Sequence, residues 1–353
     1  RNGGIGRVTS ILSNKLAEKE DFAVFTISYC QTAEPLLYEL NEKITNIPLY
    51  SQMYSMKKAI LFKHAIRKLK KALQDYKIDI LVACGALFYP LAIQAAKHGR
   101  TKCICWEHSN ANNKHDHKFQ TMCRKYGAKH ADAIVTLTQK DKELYRQKYH
   151  PPKLCQIYNP LDPDLPIKAP QKSSTKKIIS VGRLCYQKNY PLLLAIAKEV
   201  LQKNEGWQWD IYGEGPDRAE IERIIADYGL EQKVILKGQD PDLYDKYGQY
   251  AFLVMTSRYE GFSMALLEAT GNGLPLIAFD VYCGPGEIIR DGYNGYLIKA
   301  FDKEDMIEKI DCLCKSNNKR LAMVQNALSM SSLFLIEPIL SRWQQLFSRL
   351  LSN

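Results

Sequence analysis

Short apolar runs alternate along this chain with longer stretches whose apolar residues return every three or four positions. The runs Phe22 to Tyr29, Ile78 to Cys84, Lys102 to Trp106 and Ala133 to Leu137 read as strands, and Ile44 to Leu49 as a further one. Between them Ser55 to Tyr76, Tyr89 to His98, Phe119 to His130 and Lys140 to Tyr149 carry helical spacing. The alternation resumes after residue 177, with strands at Ile178 to Val181, Trp207 to Tyr212, Val234 to Lys237, Ala251 to Met255 and Leu274 to Phe279. Helices are predicted at Pro191 to Gln202, Asp217 to Tyr228, Leu243 to Tyr250, Met306 to Cys314 and Leu335 to Leu351. Strands alternating with helices predict an α/β fold with parallel sheets covered on both faces.

The chain opens on Arg1-Asn2-Gly3-Gly4-Ile5-Gly6-Arg7, followed by Val8, Ile11, Leu12 and Leu16 at helical spacing. A glycine loop that opens a helix ordinarily follows a strand, so a first strand is expected ahead of Gly3 and Gly4 and is missing here. Residues 166–177 are rich in Pro, Ser and Lys and read as a linker. It divides a first domain, 1–165, from a second, 178–330, with a closing helix at 331–353.

The length of 353 residues suits two domains of ordinary size, and an apolar content of 46% with 25% charged residues is that of a globular protein. No uninterrupted apolar run reaches membrane-spanning length, and no signal-peptide pattern opens the chain, which leads to a cytoplasmic expectation. The ten cysteines are scattered, and several lie in strand-like runs where free thiols pack as small hydrophobes. Neither C-x-C pair, Cys103/Cys105 or Cys312/Cys314, has a partner pair at zinc spacing.

Charge changes the picture. Residues 1–165 carry 26 Lys and Arg against 15 Asp and Glu, a net +11, whereas 166–353 carry 23 against 23. The excess centres on 55–76, where Lys57, Lys58, Lys63, Arg67, Lys68, Lys70 and Lys71 surround an apolar stripe. Such a helix suits an anionic membrane surface, and equally the solvated face of a domain helix.

The stretch from Met255 to Glu268 carries the clearest chemistry. A buried strand runs into Glu260-Gly261 and then into a helix start at Ser263, and the amides of Phe262, Ser263 and Met264 would face an anion brought close by the missing side chain of Gly261. Glu268, in the same helix, could accept protons from two ribose hydroxyls. Both glutamates also suit plain complementation of the helix dipole. In the first half Glu107, His108, Ser109 and Asn110 follow a strand, where parallel sheets place their ligands, which makes His108 a candidate site residue. Asp162-Pro163-Asp164, Asp240-Pro241-Asp242 and His115-Asp116-His117 read as turn or solvated loop chemistry, not metal sites.

With these residues laid out, the second half resembles the retaining GT-B glycosyltransferases of family 4, the glycosyl transferases group 1 domain, of capsular or exopolysaccharide type. The matching stretches are Val181-Gly182-Arg183-Leu184 with Gln187-Lys188-Asn189, Tyr212-Gly213-Glu214-Gly215-Pro216, Ser257 to Phe262 through Glu268, Gly273-Leu274-Pro275 and Gly292-Tyr293-Asn294-Gly295. The first half matches more loosely, at Gly3-Gly4, Glu107-His108 and Asn159-Pro160. The resemblance implies two Rossmann-like domains facing across a cleft, with the last helix returning to the first domain.

It implies transfer of a sugar, with retention, from a nucleotide-diphosphate sugar, UDP being the common case, without a metal or other cofactor. Arg183 and Lys188 match the cationic pair on the diphosphate, Glu268 the ribose carboxylate, Glu260 the contact to the donor sugar, and His108 the first-domain residue near the reacting carbon. Gly4, Gly213, Gly238, Gly261, Phe262, Ser263 and Met264 complete the expected donor contacts. The basic first domain fits a lipid-linked or polysaccharide-precursor acceptor held at the inner membrane face. The alternatives are a small soluble acceptor, or a nucleic-acid-binding protein using the basic half. The latter has no stacking motif or zinc module beside the charge, so no nucleic-acid partner is expected. A dinucleotide oxidoreductase is disfavoured because Gly3-Gly4-Ile5-Gly6 lacks the required glycine spacing.

Overall fold

The computed structural model describes residues 4–31, 38–51, 58–112, 118–163 and 175–352. The chain divides into two compact units, one of residues 1–160 with 336–353 and the other of 161–335. Most of the predicted linker, residues 166–174, lies outside the described residues, as does Gly3.

Unit 1 begins with α1 (Gly4–Ala17), β1 (Phe25–Ser28), β2 (Thr45–Pro48), α2 (Lys58–Asp75), β3 (Ile80–Cys84) and α3 (Tyr89–Ala96). It continues with β4 (Lys102–Trp106), α4 (Lys118–His130), β5 (Ala133–Thr136), α5 (Gln139–Tyr149) and β6 (Leu154–Gln156). Its strands form two parallel sheets that share no ladder, β1-β2 and β3-β4-β5-β6. Ile157 to Asn159 follow β6 as irregular chain.

Unit 2 carries β7 (Lys177–Val181), α6 (Tyr190–Lys203), β8 (Gln208–Tyr212), α7 (Arg218–Asp227), β9 (Val234–Gly238), α8 (Leu243–Lys246) and β10 (Phe252–Met255). Then follow α9 (Met264–Gly271), β11 (Leu276–Asp280), α10 (Pro285–Ile288), β12 (Gly295–Lys299), α11 (Lys303–Lys315) and α12 (Asn317–Ser331). One parallel sheet results, in the order β12-β11-β10-β7-β8-β9. Its first strand, β7, therefore lies in the middle, and the chain builds outward on one side through β8 and β9 before reversing through β10. That reversal opens a crevice beyond the carboxyl ends of β7 and β10, the place where such sheets hold ligands. Both strands are buried along most of their length, so their apolar runs have no polar face.

The last helix, α13 (Ile336–Leu351), belongs to unit 1. Ile336, Ile339, Leu340, Trp343, Leu346, Phe347 and Leu350 bury one stripe of it, and Trp343 meets Trp106 edge-on at 5.0 Å. Among the described residues, 317–351 is the one stretch long and apolar enough by length and composition to cross a membrane, against the expectation of none. Its apolar side is partly spent on the interior of the protein, with 44% of its apolar 18-residue segment buried.

Three elements differ from the sequence reading. β12 has no counterpart among the predicted strands, because Gly292 and Gly295 break its apolar run; Gly295 is nonetheless required in the strand, since a Cβ there would lie 2.1 Å from the Leu276 carbonyl oxygen. α10 makes one helical turn in a Gly-Pro-Gly stretch where no helix is predicted. α12 buries Met323, Val324 and Ala327 but has too few apolar residues to announce a stripe.

The turns after β7 and β8 approach so closely that a Cβ at Gly213, whose φ is 140°, would lie 1.9 Å from the Gly182 carbonyl oxygen. Gly229, at φ 64°, has open space around it. Gly229→Ala should therefore cost only its backbone strain, about 1–2 kcal/mol, while Gly213→Ala adds a backbone clash. Thermal unfolding followed by circular dichroism should show a clearly larger fall in Tm for Gly213→Ala, and equal shifts would contradict the close approach.

Candidate functional site

The crevice of unit 2 is lined by the segments that leave β7 and β10. Gly182 and Arg183 follow β7 and lead to a one-turn 3-10 helix, Tyr186–Lys188, and then to Asn189, which takes a left-handed conformation at φ 58° and opens α6. Lys188 folds back across Gly182; a Cβ at 182 would meet its Cε at 2.7 Å. The glycine is needed so that the lysine stem can pass.

The segment after β10 meets this turn. Arg258 donates its amide to the Gln187 carbonyl at 2.7 Å, Gln187 donates from its side chain to the Tyr259 carbonyl at 3.0 Å, and the Thr256 hydroxyl donates to the Lys188 carbonyl at 3.1 Å. These bonds place the Lys188 ammonium 2.7 Å from Glu260 Oε1, with both side chains largely buried. Arg183 is exposed and pairs with no carboxylate among the described residues. The crevice thus holds one cation tied to an acid and one cation available.

Gly261 and Phe262 carry the chain from Glu260 to α9. Ser263 caps that helix, its Oγ accepting from the Leu266 amide at 3.5 Å, so the positive end of the helix points toward the Glu260 turn. Met264 is the first helical residue, and Glu268 lies one turn further on, where the Tyr247 hydroxyl donates to its Oε2 at 3.2 Å. Gly213 donates its amide to the Gly238 carbonyl at 2.8 Å, joining the ends of β8 and β9. Arg183, Lys188, Gly213, Gly238, Glu260, Gly261, Phe262, Ser263, Met264 and Glu268 all fall in unit 2, at or near the carboxyl ends of its strands.

Two contributors escaped the sequence reading. Gly284, at φ 88°, packs against the Glu260-Gly261 turn closely enough that a Cβ would sit 3.0 Å from the Gly261 carbonyl oxygen. Tyr247 was read only as part of a helix. Gly284-Pro285-Gly286 was a turn signal that could have been connected to the site only through the sheet order.

His108 and Gly4 belong to unit 1. Gly4 is the exposed first residue of α1. His108 follows β4, its ring 4.2 Å from that of Trp106, and its Nε2 is sealed from solvent without a hydrogen-bond partner among the described residues. Burial pushes its pKa down to about 4, although Glu107 pulls the other way. At neutral pH it is an uncharged imidazole.

Its neighbour Glu107 is buried, which alone would raise its pKa; the charge of Arg124 and hydrogen bonds from Arg124, Tyr145 and the Ser109 amide hold it below the usual carboxylate range. Asp141, 2% exposed, is pushed up to about 7 by burial and by Glu107.

Of the motifs read as non-metal, Asp240 accepts from the Asp242 amide at 2.9 Å and pairs with Lys246, which is turn chemistry. His115-Asp116-His117 and Asp164 lie outside the described residues. Among the described residues no three His, Cys, Asp or Glu side chains are grouped to hold a metal ion, and the ten cysteines are free thiols.

Residues 2–165 match the family described as Glycosyltransferase Family 4, and 163–330 match Glycosyl transferases group 1. An uncharacterized glycosyltransferase of Haemophilus influenzae is 26% identical over 344 residues, covering 97% of this chain and 95% of that protein. The amylovoran biosynthesis glycosyltransferase AmsD of Erwinia amylovora is 29% identical, covering 98% and 96%. A poly(ribitol-phosphate) alpha-N-acetylglucosaminyltransferase of Staphylococcus aureus is 34% identical over 184 residues, 51% of this chain and 37% of that protein.

Among solved structures, the lipopolysaccharide outer core galactosyltransferase WaaB superposes with a TM-score of 0.77 at 20% identity, over 98% of this chain and 96% of that one. TarM superposes at 0.73 and 25% identity over 80% of this chain, which spans only 58% of TarM's length. The fold is that of the GT-B glycosyltransferases.

The low pKa of His108 sets a sign for acid stability. Its folded value lies below the unfolded 6.5, so acidification from about 6.5 toward 4 protonates the unfolded chain first and destabilises unit 1. Asp141, raised above its unfolded 3.8, opposes this over the same range, since its contribution is present at low pH and is lost as pH rises toward 7. His108→Gln removes only the first effect. Chemical denaturation of parent and variant at pH 7, 6 and 5 should show the variant gaining relative stability as pH falls; a constant difference would contradict a buried neutral His108.

Proposed function

We propose that this chain, a glycosyltransferase of the GT-B type, transfers a hexosyl or N-acetylhexosaminyl group, with retention at the anomeric carbon, from a UDP-sugar to a lipid-linked oligosaccharide or polysaccharide-precursor acceptor. The observation that carries the reading is the crevice of unit 2, where Lys188, Arg183 and the start of α9 gather positive charge at the sheet's switch point. Relatives named for alpha-N-acetylglucosaminyl transfer to poly(ribitol phosphate) and for UDP-N-acetylglucosamine-dependent transfer to peptide support the donor class and the retained configuration. AmsD, named for amylovoran biosynthesis, supports a polysaccharide product.

In this reading Glu268, oriented by Tyr247, accepts the ribose hydroxyls, and Arg183, Lys188 and the α9 end hold the diphosphate. The acceptor hydroxyl attacks the anomeric carbon on the face that the diphosphate leaves. The bond from that carbon to the phosphate oxygen breaks, the new glycosidic bond forms, and the acceptor proton passes to the departing phosphate. Lys188 and Arg183 stabilise the negative charge that develops there, so the step calls for no divalent cation. Glu260 hydrogen-bonds the donor sugar, and His108, being neutral, has a hydrogen-bonding rather than a charge role. No protein nucleophile is assigned.

The acceptor assignment rests on unit 1. On α2, Lys63, Arg67, Lys70 and Lys71 are exposed beside Ile60 and Phe62, which are 53% and 40% exposed, while Ala65, Leu69 and Leu73 are buried. Cations around exposed apolar residues suit an anionic lipid surface, each near-surface cation contributing about 1 kcal/mol. In this reading the protein works in the cytoplasm, peripheral on the inner membrane face.

Titration calorimetry with UDP and rates of UDP release from UDP-sugars test the donor site. Glu268→Ala should weaken UDP binding at least tenfold with a smaller effect on turnover, and Lys188→Ala should slow transfer by about 3 kcal/mol; both rates should be indifferent to EDTA. Unchanged kinetics in either variant would remove the site. Flotation with vesicles containing phosphatidylglycerol should retain the parent and lose a variant with Lys63, Arg67 and Lys70 changed to Glu, and equal flotation of both would remove the membrane role of α2.

A further inference from the structure

Beneath residues 107–112 of unit 1 lies a polar cluster that the proposed reaction does not use. Glu107, 1% exposed, accepts at Oε2 from Arg124 Nε at 2.7 Å and from the Tyr145 hydroxyl at 2.5 Å, and at Oε1 from the Ser109 amide at 3.0 Å. Arg124 comes from α4 and Tyr145 from α5, and both are buried. Asp141, also on α5, accepts from the Ala111 amide at Oδ1 at 2.8 Å, and Lys148 donates to the Ala111 carbonyl at 2.9 Å. The loop backbone is thus held at Ala111 by two side chains of α5, and at Ser109 by the loop's own Glu107, which α4 and α5 hold in turn through Arg124 and Tyr145.

Stability does not explain this arrangement. Burying an arginine and a carboxylate costs several kcal/mol per ion, and an apolar cluster of the same volume would hold α4 and α5 at least as well. What the polar cluster adds is direction, because hydrogen bonds to particular loop amides permit one backbone path. His108 lies on that path, between the residue that supplies the carboxylate and the residue whose amide that carboxylate binds.

We propose that Glu107, Arg124 and Tyr145 are positioning residues that, with Asp141 as a second anchor, fix the loop of residues 107–112 and so aim the His108 imidazole. This rests on the reading of His108 as a site residue. Loss of one bond in the cluster lets the loop relax, which misplaces the ring and admits water to it.

Tyr145→Phe removes a single hydroxyl from the cluster and is the variant of choice; Arg124→Lys, which keeps the charge but not the planar fork, is the second. Each is measured by UDP release from whichever of UDP-glucose, UDP-galactose and UDP-N-acetylglucosamine the parent turns over, and by NMR titration of the His108 ring in the ligand-free protein. The expected result is a kcat lower by about tenfold with the KM for the UDP-sugar within about twofold, and a His108 midpoint that rises from about 4 toward 6.5. In a His108→Ala background the same change should alter kcat by less than about twofold, since a positioning residue has nothing left to position. An equal tenfold loss in that background, or an unmoved His108 midpoint, overturns the proposal. Full activity of His108→Ala alone overturns the role of His108 in transfer, and the NMR midpoint then decides the clamp by itself.

Discussion

The Lys188–Glu260 ion pair is the interaction on which the geometry of the unit 2 site depends. It joins the turn after β7 to the turn after β10, across the point where the strand order reverses, at 2.7 Å and with little exposure of either side chain. A buried pair of this kind is held against the cost of desolvating both ions by geometry and supporting bonds. Here the supports are the Gln187 and Thr256 hydrogen bonds and the absence of a side chain at Gly182. Add a Cβ at 182 and the lysine stem must shift; remove the lysine and the buried acid loses a cation at 2.7 Å. The glycines at 213 and 284 serve the same arrangement from either side, by letting neighbouring turns approach within contact distance of Gly182 and Gly261. Fixed charge is thereby set at the carboxyl end of a rigid sheet before any ligand arrives, which is the preorganisation that charge stabilisation requires.

Unit 1 uses buried polar groups differently. Its pair, Glu107–Arg124, lies under a loop, and Glu107 also accepts from the Tyr145 hydroxyl and from that loop's Ser109 amide. The consequence is electrostatic as well as geometric. His108 is left in surroundings dry enough to keep it neutral, while Asp141 is pushed toward neutrality at the same time. The two units thus place an ionic centre and a neutral hydrogen-bonding centre, each on the loops that follow parallel strands.

Much of this was legible in the residues. The strand-to-helix turn at Glu260-Gly261 and the capping Ser263 announce themselves because a continuous apolar strand, a glycine and a cap residue occur in the order that an N-terminal helix site requires. The alternation of strands and helices gave the fold class for the same reason. What the sequence hid was whatever depends on contact between distant segments. Nothing local in Lys188 and Glu260, 72 residues apart, says that they form a pair. Gly284 reads as punctuation until β11 is placed beside β10. Arg124 and Tyr145 lie in predicted helices without being singled out, because a buried arginine follows the same spacing as an exposed one; Glu107, beside the singled-out histidine, is the one hint. β12 and α12 were missed because a glycine-bearing edge strand and a helix with few apolar residues lack a strong period.

The measurement that bears most directly on the central claim is a crystal structure of the protein with UDP bound. The account predicts the diphosphate at the N-terminal end of α9, contacted by Arg183 and by Lys188, with the ribose against Glu268 and the Lys188–Glu260 contact kept. UDP bound elsewhere, or bound with Lys188 drawn away from Glu260 and Arg183 turned to solvent, would contradict it.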